Sequence, residues 1–334
     1  MHIIPRRSFL LLAGGSILAS RVGRAQEAPP RGVNRAPNVK PGVWPVMFTP
    51  FTESNRVDCA AVREMIEFYV TAKVSGIFAA AFSGEVFDLS CDEALQLARE
   101  AVRETDGRMG VVVGANFGST LDEQAASLAR IQEAGVDAAV VALSKLPSRD
   151  DLEGQLIALM ERTTGPLGIY ECPLPERRQI TAETTRRLAQ TGRFHFMKET
   201  SRDPDICAAK AQATKGTPFH VFSATLSIAP KVLALGVEGH CGTVANYCPE
   251  LTKNMWETGD DAERKRIHAS LEAINSLVVD DGYPRSGKYV LQKRGLHLTT
   301  ISRALMTGPF TDQIRATLDE FLKHFDFAHG LTTT

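Results

Sequence analysis

The 334-residue sequence lacks the features that mark several classes of protein. Its six cysteines are too few for a disulfide scaffold, and they show no CxxC or His-paired metal spacing. Its 38 basic and 39 acidic residues nearly cancel, so charge gives no reason to expect a nucleic acid or anionic membrane as partner. No GxGxxG motif follows the first strand candidate, which argues against a dinucleotide-binding domain. What remains is a globular chain, 43% hydrophobic, with mostly buried free thiols.

The N-terminal segment has the composition of an export signal followed by a linker. Two arginines precede the apolar run Phe9–Ala19, which is too short for a membrane-spanning helix but suits a signal peptide. The order RRSFL, from Arg6, resembles the bacterial twin-arginine export signal. We expect a signal peptide at 1–25, a flexible linker at 26–42, and a periplasmic or exported protein without stable membrane insertion after signal removal. An uncleaved N-terminal anchor is the alternative.

Eight short apolar runs alternate with amphipathic stretches along the rest of the chain. Each run is continuously apolar, as expected for strands covered on both faces, and the spacing matches one βα unit. The runs begin at Val43, Gly76, Met109, Val136, Pro166, Phe194, Phe219 and Val237. Between them, the stretches Asp92–Glu104 and Leu121–Gly135 have helical periodicity. The pattern predicts an α/β protein, a (β/α)8 TIM barrel, over residues 43–250.

The pattern changes after residue 250. Helical stretches follow at Asp261–Val278, Gly287–Gln292 and Thr311–Phe325, which together are too long for one closing helix. We therefore expect a C-terminal helical region, residues 251–334, packed on the barrel.

Two residues at the ends of neighbouring strand candidates suit imine chemistry. The active site of such a barrel lies at the carboxyl ends of its strands. Lys198 ends an apolar strand, where burial would lower the pKa of its amine and leave it nucleophilic; the alternative is a lysine that extends to solvent. Tyr170 lies one βα unit earlier, and its phenol could move protons; the alternative is a tyrosine that only packs on the core.

Five segments resemble those of a known family. They are GVWPVMFTPFTESNRVD, with its Thr-Pro-Phe; FSGEVFDLSCDE, similar to a GTTGE loop; IYECP, similar to YNVP; FMKETSRD, similar to GIKEASGD; and LALGVEGHCGTVANYCPEL, similar to LALGAKGVISVAANVAPEL. In unbroken order from Val43 to the C-terminus, these segments resemble the dihydrodipicolinate synthase / N-acetylneuraminate lyase family.

The resemblance implies a class I, Schiff-base-forming aldolase. In it, Lys198 is the Schiff-base lysine and Tyr170 is the proton-shuttling tyrosine. Ser83 is implied to hold the substrate carboxylate with nearby backbone amides, and Cys241 to contact the substrate through its backbone. The resemblance also implies a homotetramer or homodimer, no metal, no organic cofactor, and a 2-keto acid and an aldehyde as small-molecule partners.

The sequence departs from the family pattern at positions that the resemblance assigns to the proton relay of the synthase and to its arginine for the carboxylate of the aldehyde. Phe82 replaces the first threonine of GTTGE, and Leu143 and Ser144 replace paired tyrosines, which interrupts the proton relay of the synthase. Pro175 stands where the synthase has an arginine for the carboxylate of the aldehyde. We therefore expect a more apolar pocket around Phe82 and an activity other than true dihydrodipicolinate synthesis.

Five charged or titratable residues near the strand ends have open or supporting roles. Arg177 and Arg178 lie beside the substituted position and are either ligands or solvated loop charges. His240 is either a base or a residue that lines the pocket. Glu85 and Glu199 are expected to hold loop and strand ends by accepting hydrogen bonds from backbone amides.

The sequence thus favours a Schiff-base lyase or aldolase that acts on pyruvate or a related 2-keto acid. One alternative is a 2-keto-3-deoxy sugar acid dehydratase that uses the same imine. The other is a non-catalytic periplasmic relative that only binds ligand. Borohydride trapping separates enzyme from binding protein, and product analysis separates lyase from dehydratase.

Overall fold

Eight short parallel strands form the centre of the protein in a computed structural model that describes residues 36–331. The predicted signal peptide and most of the predicted linker lie outside the described residues. The strands are β1 (Gly42–Val43), β2 (Gly76–Ala79), β3 (Gly110–Gly114), β4 (Ala138–Ala142), β5 (Leu167–Tyr170), β6 (Phe194–Glu199), β7 (His220–Ser223) and β8 (Gly239–His240). Neighbours in sequence pair from β2 to β8, and β8 pairs with β1.

Backbone hydrogen bonds close the sheet between its two remaining edges. The N–H groups of Ser75 and Phe78 donate to the carbonyl oxygens of Val43 and Pro45, at 3.0 and 2.8 Å. The prediction of a (β/α)8 barrel is confirmed, with all eight strands at the predicted runs.

Each strand is followed by a helix that covers the outside of the barrel. These are α1 (Cys59–Thr71), α2 (Cys91–Thr105), α3 (Leu121–Gln132), α4 (Leu152–Glu161), α5 (Ala182–Gln190), α6 (Pro204–Ala213), α7 (Ala229–Ala234) and α8 (Pro249–Glu257). Side-chain hydrogen bonds fix the N-termini of several helices. Ser90 and Thr120 each form a capping box with the glutamate three residues later. Because α8 packs on β1, the barrel extends beyond residue 250.

Three further helices form the C-terminal extension, as predicted. They are α9 (Asp261–Val279), α10 (Arg285–Lys293) and α11 (Asp312–Leu322). The last predicted helix ends at Leu322, before a small antiparallel pair, β9 (Phe325–Asp326) and β10 (Gly330–Leu331), which is tied to α9 where the N–H of Leu331 donates to Ser270 Oγ at 3.0 Å. Within residues 36–331, none of the helices has the length and apolar character needed to cross a membrane.

The end of the predicted linker is part of the barrel. The N–H of Asn38 donates to Asp137 Oδ1 at 2.8 Å, Val39 is buried, and the indole N–H of Trp44 donates to the carbonyl oxygen of Lys40 at 3.0 Å. Because strand β1 begins at Gly42, the segment just before it is ordered against the barrel rather than free.

Aromatic side chains fill the interior of the barrel. The ring centroids of Trp44 and Phe196 lie 5.2 Å apart, and those of Phe196 and Phe222 lie 4.9 Å apart in a stacked arrangement. A Cβ atom at Gly76 or Gly110 would come within 2.2 or 2.5 Å of the Trp44 ring, so both positions require glycine. These rings exclude water from the space beneath the carboxyl ends of the strands.

Candidate active site

Lys198 points into the barrel at the carboxyl end of β6. It pairs in register with Tyr170 of β5 and Phe222 of β7, whose side chains both belong to the interior cluster. Its side-chain nitrogen, Nζ, lies 4.9 Å from the centroid of the Tyr170 ring, and the residue is only 5% exposed. Burial lowers the pKa of the Lys198 amine. Neutral, nucleophilic amine is therefore present nearer to neutral pH than for an exposed lysine.

Two other lysines are as deeply buried, and each has a carboxylate partner. Lys210 Nζ lies 2.7 Å from Glu171 Oε1, and Lys288 Nζ lies 2.8 Å from Glu85 Oε1. Among residues 36–331, no carboxylate lies within ion-pair distance of Lys198. Since an ion pair favours the charged form of an amine, Lys198 differs from both in lacking this stabilisation.

Tyr170 provides a hydroxyl group at the same end of the barrel. Its ring packs edge-on against Phe78, with centroids 5.5 Å apart, and the Lys198 amine lies over its face. Burial raises the pKa of Tyr170, so the phenol holds its proton and can act as a hydrogen-bond or proton donor. The structure thus brings together the two predicted catalytic residues.

The loop after β2 is strained and strongly anchored. Ala80 and Glu85 adopt left-handed backbone conformations, with φ of 48° and 62°. The buried Glu85 carboxylate binds Lys288, accepts from Ser302 Oγ at 2.8 Å, and accepts from the backbone N–H of Arg303 at 2.6 Å. Glu85 thus accepts from a backbone amide, as predicted, but the amide belongs to the distant C-terminal region. This anchor fixes the loop that carries Phe82 and Ser83.

The structure also places the two remaining predicted substrate-binding residues at the barrel mouth. Ser83 is buried, and its hydroxyl accepts a hydrogen bond from Tyr283 at 2.6 Å. The N–H of Cys241 donates to the carbonyl oxygen of Ser223 at 2.8 Å, so its own carbonyl oxygen is the backbone group left for a ligand. Burial raises the pKa of the Cys241 thiol to about 11, so this thiol stays protonated near neutral pH.

Three phenylalanines and a lysine form a rim around the mouth, here called the aromatic rim: Phe82, Phe87, Phe117 and Lys145. The rings of Phe82 and Phe87 meet edge-on at 6.4 Å, and Lys145 Nζ lies 4.2 Å from the centroid of the Phe117 ring. Burial lowers the pKa of Lys145 to about 8. Sequence reasoning identified only Phe82 of this group, because the others lie in connecting loops without a motif.

The side chains at and beside the substituted positions do not take the place of the tyrosine pair and the arginine of the synthase. The Ser144 hydroxyl is buried and has no hydrogen-bond partner among the described residues. Arg178 Nη1 donates to the carbonyl oxygens of Leu146 and Ser148, at 2.6 and 3.3 Å, so it braces the loop after β4. Arg177 is exposed, with Nη1 3.4 Å from the carbonyl oxygen of Ser201.

A buried ion-paired network supports the two catalytic candidates from behind. Lys210 Nζ contacts Glu171 Oε1 at 2.7 Å and Glu199 Oε1 at 3.3 Å, and Glu199 accepts from the N–H of Ser201 at 2.8 Å, as predicted. Glu171 and Glu199 directly follow Tyr170 and Lys198 in sequence, so one lysine fixes the ends of both strands. Lys210 lies in α6, which is only weakly amphipathic, so the sequence gives no signal of this role.

His240 lies on the outer face of the barrel wall. It pairs in register with Val43, whose side chain belongs to the cluster between strands and helices, and its ring packs 5.9 Å from that of Trp256 in α8. Neither ring nitrogen has a hydrogen-bond partner among the described residues. Burial lowers the pKa of His240 to about 3. His240 does not line the barrel interior, because successive side chains of a strand lie on opposite faces and those of Lys198 and Cys241 lie on the inner face. Its low pKa leaves it uncharged near neutral pH.

Replacement of His240 by leucine is expected to make the protein less sensitive to acid. The folded-state pKa is below that of the unfolded chain, so the unfolded state gains a proton as pH falls through about 6.5 while the folded state does not. His240 therefore costs about 1.4 kcal/mol of stability per pH unit below that value, or about 2 kcal/mol at pH 5. Chemical unfolding of both proteins between pH 7.5 and 5 measures the difference.

An exposed histidine, His297, supplies the matched control, because its replacement by leucine removes an imidazole without emptying a buried site. Identical acid dependence in the wild type and the His240→Leu protein would show that His240 is protonated, or solvated, in the folded state.

The six cysteines are all free thiols. Four are buried, Cys172, Cys207, Cys241 and Cys248, and Cys59 and Cys91 are partly exposed. Across residues 36–331, no group of three or more histidine, cysteine, aspartate or glutamate side chains is arranged to hold a metal ion.

The fold and the site together define a (β/α)8-barrel protein with a buried lysine at the carboxyl ends of its strands that has no carboxylate partner among residues 36–331. The sequence model of the Dihydrodipicolinate synthetase family matches residues 40–325, and the chain belongs to this family. It is 26% identical over 284 residues to the 4-hydroxy-tetrahydrodipicolinate synthase of Leptothrix cholodnii, covering 83% of this chain and 95% of that protein. The corresponding enzyme of Moorella thermoacetica is 28% identical over 284 residues, covering 82% and 96%.

Solved structures share the fold. The dihydrodipicolinate synthase of Acinetobacter baumannii, complexed with pyruvate, matches with a TM-score of 0.75 at 22% identity, covering 85% of this chain and 98% of that one. A prophage protein of the dihydrodipicolinic acid synthase family from E. coli K12, also in complex with pyruvate, matches with a TM-score of 0.75 at 23% identity, covering 85% and 97%.

Proposed function

We propose that the protein is a Schiff-base-forming lyase or aldolase that acts on pyruvate or a related 2-keto acid. The observation that carries this proposal is the Lys198 amine, which is buried above the aromatic side chains of the barrel interior, lies beside the Tyr170 phenol, and has no carboxylate partner in the described part of the chain. Family membership and the two pyruvate-bound relatives support it. Borohydride reduction in the presence of pyruvate tests it, because only an imine is reduced to a stable amine link.

The reaction begins when the neutral Lys198 amine attacks the C2 carbonyl carbon of the keto acid. A proton passes to the resulting alkoxide, and the carbinolamine then loses water to give a protonated imine. The Tyr170 phenol, held next to the amine, donates and recovers these protons.

The protonated imine then accepts the electron pair released at C3. In the cleavage direction this pair comes from the breaking C3–C4 bond: the C4 hydroxyl gives up its proton as an aldehyde leaves, and the enamine that forms takes a proton at C3 to become the imine again. In the condensation direction, loss of a proton from C3 gives an enamine that attacks an aldehyde. Water finally hydrolyses the imine and returns the free lysine. Identification of the products separates this course from loss of water from a sugar acid.

The second substrate is an aldehyde that is bulkier or less charged than that of the synthase. The aromatic rim supplies apolar surface at the mouth, and Phe82 is half-buried within it. Since Arg178 donates to loop carbonyl oxygens, its guanidinium is already engaged and replaces no lost carboxylate ligand.

Aspartate semialdehyde is therefore expected to be a poor acceptor. A site without charge-assisted hydrogen bonds to the carboxylate of aspartate semialdehyde stabilises the transition state of this substrate by several kcal/mol less than a site that has them. The measurement is kcat/KM for aspartate semialdehyde, for neutral sugar aldehydes and for aromatic aldehydes, each with pyruvate. Aromatic or neutral aldehydes should be preferred.

A wide preference for aspartate semialdehyde would contradict this interpretation of the substitutions. In that case Arg177 or Lys145 of the aromatic rim supplies the charge, and the one whose replacement, Arg177→Gln or Lys145→Met, removes the preference is the ligand.

We also propose export through the twin-arginine route and assembly as a homodimer or homotetramer. The RRSFL order at the N-terminus supports the first, and the family resemblance supports the second. Fusion of residues 1–35 to a reporter, with Arg6 and Arg7 replaced by lysine as control, tests export. Sedimentation of the mature protein tests assembly.

A further inference from the structure

Lys145 carries a second amine at the mouth of the barrel. It ends the short helical turn Leu143–Lys145 that directly follows β4, so it lies at the same end of the barrel as Tyr170 and Lys198. Within residues 36–331, no carboxylate lies within ion-pair distance of its Nζ, and that atom makes no hydrogen bond. An amine that no carboxylate holds in the charged form can both release and accept a proton near neutral pH.

Two rings of the aromatic rim hold this amine in place. Lys145 Nζ lies 4.2 Å from the centroid of the Phe117 ring, which follows β3, and 5.9 Å from that of Phe87, which follows β2. A ring face favours the charged amine, whereas burial favours the neutral one. Burial has the larger effect and lowers the pKa of Lys145 to about 8, so both forms are present near neutral pH.

The titratable groups that act on the Lys145 amine are two thiols. Cys172, after β5, and Cys91, at the start of α2, are near enough to influence its pKa. Arg130 and Asp92, the charged side chains next to Cys91, are paired with each other at 2.6 Å. In the described part of the chain, no charged side chain therefore sets the protonation state of Lys145.

The Cys172 thiol connects Lys145 to the proposed imine site. Cys172 belongs to the interior cluster that includes Tyr170, and the two side chains share a hydrogen bond. The same thiol influences the pKa of both the Lys145 and the Lys198 amines, so both amines lie near it. A substrate that is joined to Lys198 and extends toward the aromatic rim thus reaches the Lys145 amine.

One proton of the proposed reaction has no assigned partner among the side chains. Cleavage of the C3–C4 bond releases the proton of the C4 hydroxyl, and condensation returns a proton to the same oxygen. Tyr170 serves the imine, and Leu143 and Ser144 stand where the resemblance places the tyrosine pair of the relay. The oxygen of the second substrate therefore needs a different acid–base group at the rim.

We propose that Lys145 is the acid–base residue for the oxygen of the second substrate, a neutral aldehyde. In cleavage, the neutral amine takes the C4 hydroxyl proton while the C3–C4 electron pair passes through C2 to the imine nitrogen and the aldehyde carbonyl forms. In condensation, the protonated amine gives this proton to the aldehyde oxygen as C3 of the enamine attacks the carbonyl carbon. Water at the mouth then restores the starting form of the amine. The role rests on the proposed function for the imine on Lys198.

The first test separates the aldehyde step from imine formation. Exchange of the pyruvate methyl protons with deuterium, followed by NMR, needs the imine and enamine alone, whereas condensation of pyruvate with benzaldehyde or glyceraldehyde also needs the aldehyde step. Lys145→Met should lose about 10²–10⁴-fold in kcat for condensation, the usual contribution of general acid–base catalysis, and less than about twofold in exchange. Lys215→Met is the matched control, because Lys215 is exposed and precedes β7 at the opposite end of the barrel.

Lys145→Arg distinguishes proton transfer from charge. Arginine keeps the positive charge and the donors but does not release its proton in proteins, so this variant should condense as slowly as Lys145→Met. In the wild type, kcat for condensation should fall as pH rises through about 8, and kcat for cleavage of the benzaldehyde product should rise over the same range. Both dependences should be absent in Lys145→Arg.

The outcomes separate this role from the proposed function. Wild-type condensation rates in Lys145→Met or in Lys145→Arg would overturn the role, the second by assigning Lys145 to charge pairing. A wild type that exchanges pyruvate protons but condenses neither aldehyde would overturn the aldehyde class and the role with it. Absence of exchange in the wild type would instead count against the proposed function. Thermal unfolding shows whether each variant is folded.

A second measurement examines the Lys145 amine without imine chemistry at Lys198. The Lys198→Ala protein is incubated with benzaldehyde and cyanoborohydride near pH 7.5, and the benzylated lysines are mapped by mass spectrometry. A pKa about two units below that of an exposed lysine gives about 100-fold more neutral amine, so Lys145 should react at least about tenfold faster than Lys215. Its rate should also saturate with benzaldehyde bound at the rim. Attachment to Lys145 no faster than to Lys215 would overturn the role, whatever the result with pyruvate.

Discussion

Replacement of Lys198 by alanine or methionine is expected to abolish both borohydride trapping of pyruvate and turnover. The amine is the nucleophile in the proposed reaction, so its loss should cost on the order of 10⁴-fold or more in kcat. Methionine keeps the apolar stem of the side chain in the barrel, so this variant should remain folded. Intact mass after reduction, together with product formation, measures the effect.

Lys145→Met is the matched control for this experiment. Lys145 also lies at the mouth, and burial lowers its pKa to about 8, but it stands on the aromatic rim rather than inside the barrel. Its replacement should leave the adduct in place. Trapping that persists in Lys198→Met and disappears in Lys145→Met would move the nucleophile to Lys145. No trapping in any folded form would favour the non-catalytic binding protein.

Replacement of Tyr170 by phenylalanine is expected to slow imine formation and turnover by about 10²–10⁴-fold, the usual contribution of general acid–base catalysis. The ring contact with Phe78 is kept and one oxygen is lost, so the free energy of unfolding should change little. Because the phenol acts on the carbonyl and not on the carboxylate, Tyr170→Phe should slow adduct formation with pyruvate and with acetone, a ketone that lacks the carboxylate, alike. Rapid-quench trapping with both ketones measures the effect.

The Tyr289→Phe protein is the matched control, since it loses a phenolic hydroxyl that lies outside the barrel and donates to Asp319 at 2.8 Å. A Tyr170→Phe rate equal to that of the wild type would show that water or another group moves the proton, and the role given to Tyr170 would be wrong.

The strands of the barrel could be predicted because burial on both faces leaves a continuous apolar run at each one. The catalytic candidates could be predicted for a related reason. A lysine or tyrosine at the end of such a run stands out against apolar neighbours, and the one-unit spacing between Tyr170 and Lys198 places them on adjacent strands. Local sequence was sufficient for both conclusions.

Contacts between segments far apart in sequence could not be predicted from local sequence patterns. Tyr283 meets Ser83 across 200 positions, and Lys288 meets Glu85 across 203. Which face of the strand a side chain lies on also depends on the strand's register, so the sequence places His240 at the strand end but does not show that it faces the helices. Each of these features depends on how segments pack, not on composition.

The site of covalent attachment tests the central claim most directly. The wild-type protein is incubated with pyruvate and borohydride, digested, and mapped by tandem mass spectrometry. The buried Lys198 should carry one reduced pyruvyl group per chain, while the ion-paired Lys210 and Lys288 carry none. Attachment to another lysine, or no attachment to the folded protein, would contradict the assignment of Lys198 as the imine-forming residue.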